Sequence, residues 1–319
     1  MKNEDIFNYS DIEDLINNFP FDSNQENEMQ LFIQKRINEY DFYTKGKNIL
    51  SLDLDEMLDN LNFKPELQYF YAVVDFCTTT FCYYSEKKNN KIINDYVTVT
   101  IRKIGENLIQ KVNAFCFLCI KGNYSEAISI SRSIYELVLS SHLIYEYPQL
   151  AEPFRDKERF LYYKFQKDVY GKIFDYSARK EFYSLYEKYG ETLNENFGWT
   201  EKVFSARDKR FLKFLANKLE LPNYYNSFYQ EACAYVHASS YSLIHQELTS
   251  CLSFSSWVIV LLMRYCNDFY SLSFMNKRES KIIISFLSKM SISYIEKITD
   301  SFTKEVSTDD DETLTNHFK

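Results

Sequence analysis

Glycine and proline are scarce in this chain, at 6 and 5 of its 319 residues. So few turn-forming residues exclude a fold built from many hairpins. Glycine-rich phosphate loops are excluded with them: no Walker, dinucleotide or kinase loop can be found, so no cofactor is expected. Positive charge is also in short supply. The net charge of −8 and pI near 5.3 remove the overall electrostatic footprint of a general nucleic-acid binder, and leave only a local basic patch for that purpose. Long apolar runs are missing as well. The most apolar stretch, Trp257 to Met263, is followed by Arg264 and falls far short of the roughly 20 residues that cross a bilayer. The amino-terminal segment MKNEDIFNYSDIEDLI is acidic and has no apolar signal region. A cytoplasmic protein without membrane contact is expected.

No metal-ligand spacing occurs either. The four histidines include no H-x-x-x-H pair, and the C-x-x-C of Cys116 and Cys119 sits inside the apolar run FCFLCI with no second pair. The seven cysteines are odd in number and scattered, which fits reduced, buried thiols better than a disulfide framework.

What the chain has in quantity is aromatic side chains, 27 Tyr and 27 Phe. Helices packed through large rings are the natural use of these residues. Pro65 can open a helix that runs to about Tyr84 and is apolar on most sides. A helix over Ile93 to Lys121 has apolar residues at 101, 104, 108, 112, 115, 119 and 120, close to one helical face. Gly122-Asn123 closes it, and the next helix, Tyr124 to Tyr145, stops before Pro148. Two long helices with so short a link predict an antiparallel hairpin. The fold class is therefore all-α, a multi-helix bundle built on that hairpin. Three regions are expected: a helical extension over 1–90, the bundle over 91–300, and an acidic, disordered tail over 301–319. The stretch Glu191 to Thr200 reads as the clearest loop of the second half.

Two places carry candidate chemistry. In the helix after Gly122, Arg132 and Glu136 are four residues apart and can pair on one face. Their neighbours Ile128, Ile134, Leu137, Val138 and Leu139 are apolar on several sides, which argues for partial burial. Farther on, Tyr225, Tyr229, Cys233 and His237 recur every four residues, a polar stripe where a core stripe should be aliphatic. Between them lies a basic cluster, Arg207, Lys209, Arg210, Lys213 and Lys218, which reads either as a solvated face or as a phosphate-facing strip.

Three segments resemble a family of uncharacterised bacterial proteins, DUF5677. They are KGNYSEAISISRSIYELVLSSHLIYEYP, the later Trp199 with FLANKLELPNYY, and YNSFYQEACAYVHASSYSL. The resemblance spans roughly residues 100 to 265. It implies that the prominent polar positions are Arg132, Glu136, Tyr229, His237 and Ser239, with Cys233 standing where a serine is expected. It also implies a shape similar to HEPN domains, helical bundles whose ribonuclease members use an R-x4-6-H motif near a dimer interface. This chain lacks that spacing: nine residues separate Arg132 from His142, and no arginine precedes His237 at the required distance.

The resulting expectation is a metal-independent RNA-cleaving effector, of the kind found in toxin or phage-defence systems, with a composite site. Arg132 would stabilise phosphate, His237 would act as general acid or base, Glu136 would orient one of them, and Tyr229 would donate a hydrogen bond. Tyr225, Ser239 and the basic residues Arg207, Lys209, Arg210 and Lys213 would contact RNA. Two other readings stand beside it: a non-catalytic sensor or interaction module whose polar network is structural, and a binder of a small anionic ligand such as a nucleotide. A homodimer or a partner protein is the expected protein contact.

Overall fold

The computed structural model describes residues 7–18, 64–87, 95–173, 175–204, 212–219, 225–236, 248–273 and 277–316. Among these residues there are ten α-helices and no strand. In chain order they are α1 (Tyr9–Asn17), α2 (Lys64–Lys87), α3 (Tyr96–Ile120), α4 (Tyr124–Glu146), α5 (Ala151–Tyr170), α6 (Tyr176–Tyr189), α7 (Leu212–Lys218), α8 (Gln230–Val236), α9 (Leu248–Ser273) and α10 (Lys277–Asn316). The chain is all-α, as its shortage of glycine and proline requires.

The α3–α4 hairpin forms as its periodicity predicts. Asp95 caps α3 by accepting from the backbone N–H groups of Val97 and Thr98. At the other end Gly122 adopts φ 74, a left-handed conformation that a residue with a Cβ rarely takes, and Asn123 N–H donates to the Leu118 carbonyl. The apolar faces of the pair then meet α9, which packs against α2, α3, α4 and α10 and so lies at the centre of the bundle. Its window Leu248–Leu272 is long and apolar enough to cross a membrane by length and composition, and half of that window is buried inside the bundle. The apolar stretch is thus longer than Trp257 to Met263 alone. The helix nevertheless carries Asp268 at 1% exposure, partnered by His142 of α4 at 2.8 Å, while the Arg264 guanidinium caps the other ring nitrogen of that histidine.

Aromatic packing runs through this core as expected. Phe81 lies against Tyr265 and Phe269, Phe70 against Phe115 and Tyr294, and Phe228 against Phe254. Cys77, Cys116, Cys119, Cys251 and Cys266 are free and buried. Burial pushes the Cys116 and Cys119 thiols well up, as for structural rather than reactive cysteines. Helix α1 contributes Ile12, Leu15 and Ile16 to the same buried cluster, and the Phe7 N–H donates to Asp75 of α2. At the far end, α10 remains helical through the acidic run Asp309 to Glu312, where the composition suggests disorder.

Helices α5 and α6 form a second hairpin on one side of the bundle. Buried Asp156 accepts hydrogen bonds from Tyr189 at 2.7 Å and Lys188 at 3.1 Å, which ties the two helices together. Burial alone would raise its pKa, but these donors and Arg159 hold the carboxyl below the usual range.

Candidate functional site

The segment 225–236 does not start as a regular α-helix. Tyr225–Tyr229 form one π-helical turn, and α8 continues from it. The wider turn lets Tyr225 and Tyr229 stack at 5.4 Å between ring centroids, and such turns are frequent at functional sites. Phe228 and Tyr229 point inward and fix the turn against α4, where the Tyr135 ring meets Tyr229 at 5.1 Å.

This turn delivers the Tyr229 hydroxyl to Arg132 and Glu136 of α4. The Arg132 Nε–H donates to the Tyr229 hydroxyl at 3.0 Å and to Glu136 Oε1 at 3.2 Å, and the Tyr229 O–H donates to Glu136 Oε1 at 2.7 Å. Each proton has an acceptor, so the triangle is self-consistent. The guanidinium also lies over the Tyr229 ring at 5.5 Å. Burial pushes the Tyr229 phenol well above its ordinary value, and the Glu136 carboxylate that accepts its proton adds to the effect. Tyr229 therefore stays protonated and serves as a donor, not as a base. Partial burial works against the charge on Arg132, but the hydrogen bond to Tyr229 and the charge of Glu136 outweigh it and raise its pKa. Half-buried Cys233 adjoins the triangle. Burial pushes its thiol up, against the pull of Arg132.

Arg132 thus has its Nε oriented by two partners, while among the described residues its two Nη groups have none. They border a cleft of about 940 Å³ between α3, α4, α5, the 190–200 segment, α7 and the π-turn. Its charged lining is Lys111, Arg132, Lys157 and Lys213 against Glu136 and Glu195, an excess of two positive charges in a chain whose net charge is −8. Phe154, Phe197, Trp199 and Tyr225 add ring surface to its walls.

The 190–200 segment, expected as a plain loop, is a built wall. It contains two 3₁₀ turns, Gly190–Asn194 and Gly198–Thr200, and buries Trp199 to 3% exposure against Phe154. Gly198 makes this possible. A Cβ there would lie 1.6 Å from the Thr192 carbonyl oxygen, so only glycine lets the backbone approach so closely.

Lys157 of α5 holds the same wall by donating to the Glu195 and Asn196 carbonyls. Burial pushes its ammonium down to about 8, against the attraction of Glu195. The folded pKa lies below the ordinary lysine value of 10.5, so the unfolded chain binds more protons between about pH 8 and 10. This group therefore disfavours folding at neutral pH, and the penalty fades as pH rises through that window. The charge that the cleft offers an anion follows the same titration. Affinity for a single-stranded oligonucleotide, measured by fluorescence anisotropy, is expected to fall about fivefold from pH 7 to pH 9, on the order of 1 kcal/mol for one lost charge. In Lys157→Met that pH-dependent step should be absent; an unchanged profile would show that Lys157 does not meet the ligand.

Of the residues singled out by the sequence, Arg132, Glu136, Tyr229, Tyr225 and Lys213 meet at this cleft. His237, Ser239, Arg207, Lys209 and Arg210 lie outside the described residues. Lys111 and Lys157 carry no such signal in the sequence. Nothing distinguishes Lys157 from Lys164 or Lys167 on the same amphipathic helix, since only the tertiary position of the 190–200 wall selects it. His142, which lies too far from Arg132 for the R-x4-6-H spacing, is the centre of the buried contact between α4 and α9.

Fold and site together define a helical-bundle protein with a cationic, aromatic-lined cleft beside an Arg–Glu–Tyr triangle. Residues 106–250 match the model of a family of unknown function, DUF5677. The matched segment runs from within α3 through α4 to the start of α9, and so contains the triangle and all of the cleft lining. Comparisons with curated proteins and with solved structures gave no match.

Proposed function

We propose that the cleft binds the phosphate backbone of RNA and that the protein cleaves it without a metal, with Arg132 at the reacting phosphate and His237 as general acid or base. The observation that carries this reading is the oriented Arg132, whose Nη edge adjoins a cleft that also offers three lysines. A guanidinium fixed through Nε can meet a phosphate with two parallel hydrogen bonds and no further ordering cost. Tyr229 and Glu136 supply that orientation, and the ring-lined walls suit the faces of unpaired bases. Attack by a ribose 2′-hydroxyl needs a base and a cation at the developing charge, which His237 and Arg132 provide.

A second reading, binding of a free nucleotide, is favoured by the cleft's volume, which lies within the range of small-molecule sites. Incubation of the purified protein with total RNA, beside His237→Ala and Arg132→Ala, tests the first. Cleavage by the wild type and a loss of at least about 100-fold in each variant is the expected result. No cleavage by the wild type, or equal cleavage by the variants, sinks it. Arg132-dependent binding of nucleotides in the absence of cleavage would establish the second instead.

A further inference from the structure

Lys157 differs from the other cations of the cleft in how its nitrogen is held. Its Nζ donates to two successive carbonyls, those of Glu195 and Asn196. A tetrahedral nitrogen bonded to Cε has three remaining directions, and the carbonyls take two of them. The third is left for a molecule in the cleft, which Lys157 lines. In the ammonium that direction holds an N–H, and in the neutral amine it holds the lone pair. The wall therefore aims a nucleophile once the proton leaves, and burial brings the ammonium down to about 8 from 10.5.

The surroundings define what such an amine meets. Phe154 lies one turn before Lys157 on α5, and Phe197 directly follows the Asn196 carbonyl, so two rings of the cleft lining are tied to the amine through the chain. The same cleft holds Arg132, fixed through Nε, together with Lys111 and Lys213. A partly desolvated amine among other cations is the usual setting of a lysine that condenses with a carbonyl group. Arg132 supplies a second point of recognition, since a guanidinium takes a phosphate with two parallel hydrogen bonds. A compound that carries both a phosphate and an aldehyde satisfies both points at once. The cleft volume of about 940 Å³ lies within the range of small-molecule sites.

We infer that Lys157 is a covalent site that forms a Schiff base with a phosphate-bearing aldehyde, whose phosphate Arg132 holds. The Nζ lone pair forms the N–C bond while the C=O π pair moves to oxygen, giving a carbinolamine. Nζ gives up both of its protons, the oxygen leaves with them as water, and C=N replaces C=O. The inference rests on the cleft and not on RNA cleavage. Two sources carry this chemistry, a free phosphorylated aldehyde and a nucleic-acid strand with an abasic sugar, whose open form is an aldehyde flanked by phosphates.

The test incubates the full chain at pH 8 with sodium cyanoborohydride, which fixes an imine as a secondary amine. The probe is pyridoxal 5′-phosphate in one arm and a single-stranded oligonucleotide with one abasic site in the other, and peptide mass mapping locates the adducts. Lys157 is expected to be labelled at least about tenfold faster than Lys111 and Lys213, which meet the same probe in the same cleft. Pyridoxal 5′-phosphate should label it at least about fivefold faster than pyridoxal, which lacks the phosphate, and Arg132→Ala, if equally helical by circular dichroism, should abolish that preference. Labelling by one probe alone supports the inference and identifies the source. Equal labelling of the three lysines overturns it, as does a Lys157 adduct indifferent to the phosphate. Labelling of Lys157 in a protein that cleaves no RNA supports the inference while sinking the nuclease reading, and cleavage without labelling does the reverse.

Discussion

Replacing Gly105 by alanine is expected to destabilise the bundle by about 3 kcal/mol or more. A Cβ at this position of α3 would lie 1.8 Å from the Tyr265 hydroxyl oxygen and 2.7 Å from the Phe81 ring. Tyr265 is fully buried on α9, and its O–H donates to the Ile101 carbonyl at 3.1 Å. The ring cannot swing out to solvent, so either the phenol loses its acceptor or α3 and α9 separate. Overpacking costs about 1–3 kcal/mol and an unsatisfied buried hydroxyl about 1–3 more. At roughly 2–4 °C per kcal/mol for a chain of this size, the melting temperature should drop by about 6–12 °C. The decisive comparison is the double variant Gly105→Ala with Tyr265→Phe. Removing the hydroxyl removes the closest clash, so the double variant should be more stable than Gly105→Ala alone, a coupling that independent sites would not show. If alanine is tolerated at Gly105 with a loss below about 0.5 kcal/mol, the close approach of α3 and α9 is wrong.

The second large effect is expected at Asp268. Its carboxylate accepts from His142 Nδ1 at 2.8 Å, and both side chains are at most 3% exposed. The Arg264 guanidinium donates to His142 Nε2, which uses that nitrogen's lone pair and so leaves the ring proton on Nδ1, directed at Asp268. Asp268→Ala strands this proton in the core and leaves Arg264 without its nearby carboxylate. Breaking a buried pair from one side costs about 3–5 kcal/mol, whereas replacing both partners with apolar groups is often neutral. Chemical denaturation should therefore show a loss of about 3 kcal/mol for Asp268→Ala, and most of it should return in Asp268→Leu with His142→Phe, where the new ring keeps its place beside Tyr145. A single-variant loss under about 1 kcal/mol would mean that water reaches the pair.

Much of the architecture is legible in the residues themselves. The bounds of α3 and α4 follow from apolar spacing, from Asp95 at one end and from Gly122 in its left-handed conformation between them. These are local effects, set within one or two turns of chain. The Arg132–Glu136 pair is legible for the same reason, since four residues along a helix bring two side chains together whatever surrounds them. The 190–200 segment shows the limit. Its composition reads as loop, yet Gly198, Trp199 and the carbonyls bonded to Lys157 make it a wall of the cleft.

By itself the sequence determined that the chain is helical, where the α3–α4 hairpin turns, and that its polar residues cluster in two segments. Only the tertiary structure decided that Tyr229, 97 residues beyond Arg132, completes the triangle, that Lys111, Lys157 and Lys213 face it across one cleft, and that His142 belongs to the core rather than to a site. The division is physical. Helix formation depends on neighbours within a turn or two, whose identities are written side by side. A site between helices depends on which faces meet, and that is settled by burial of the whole apolar surface at once.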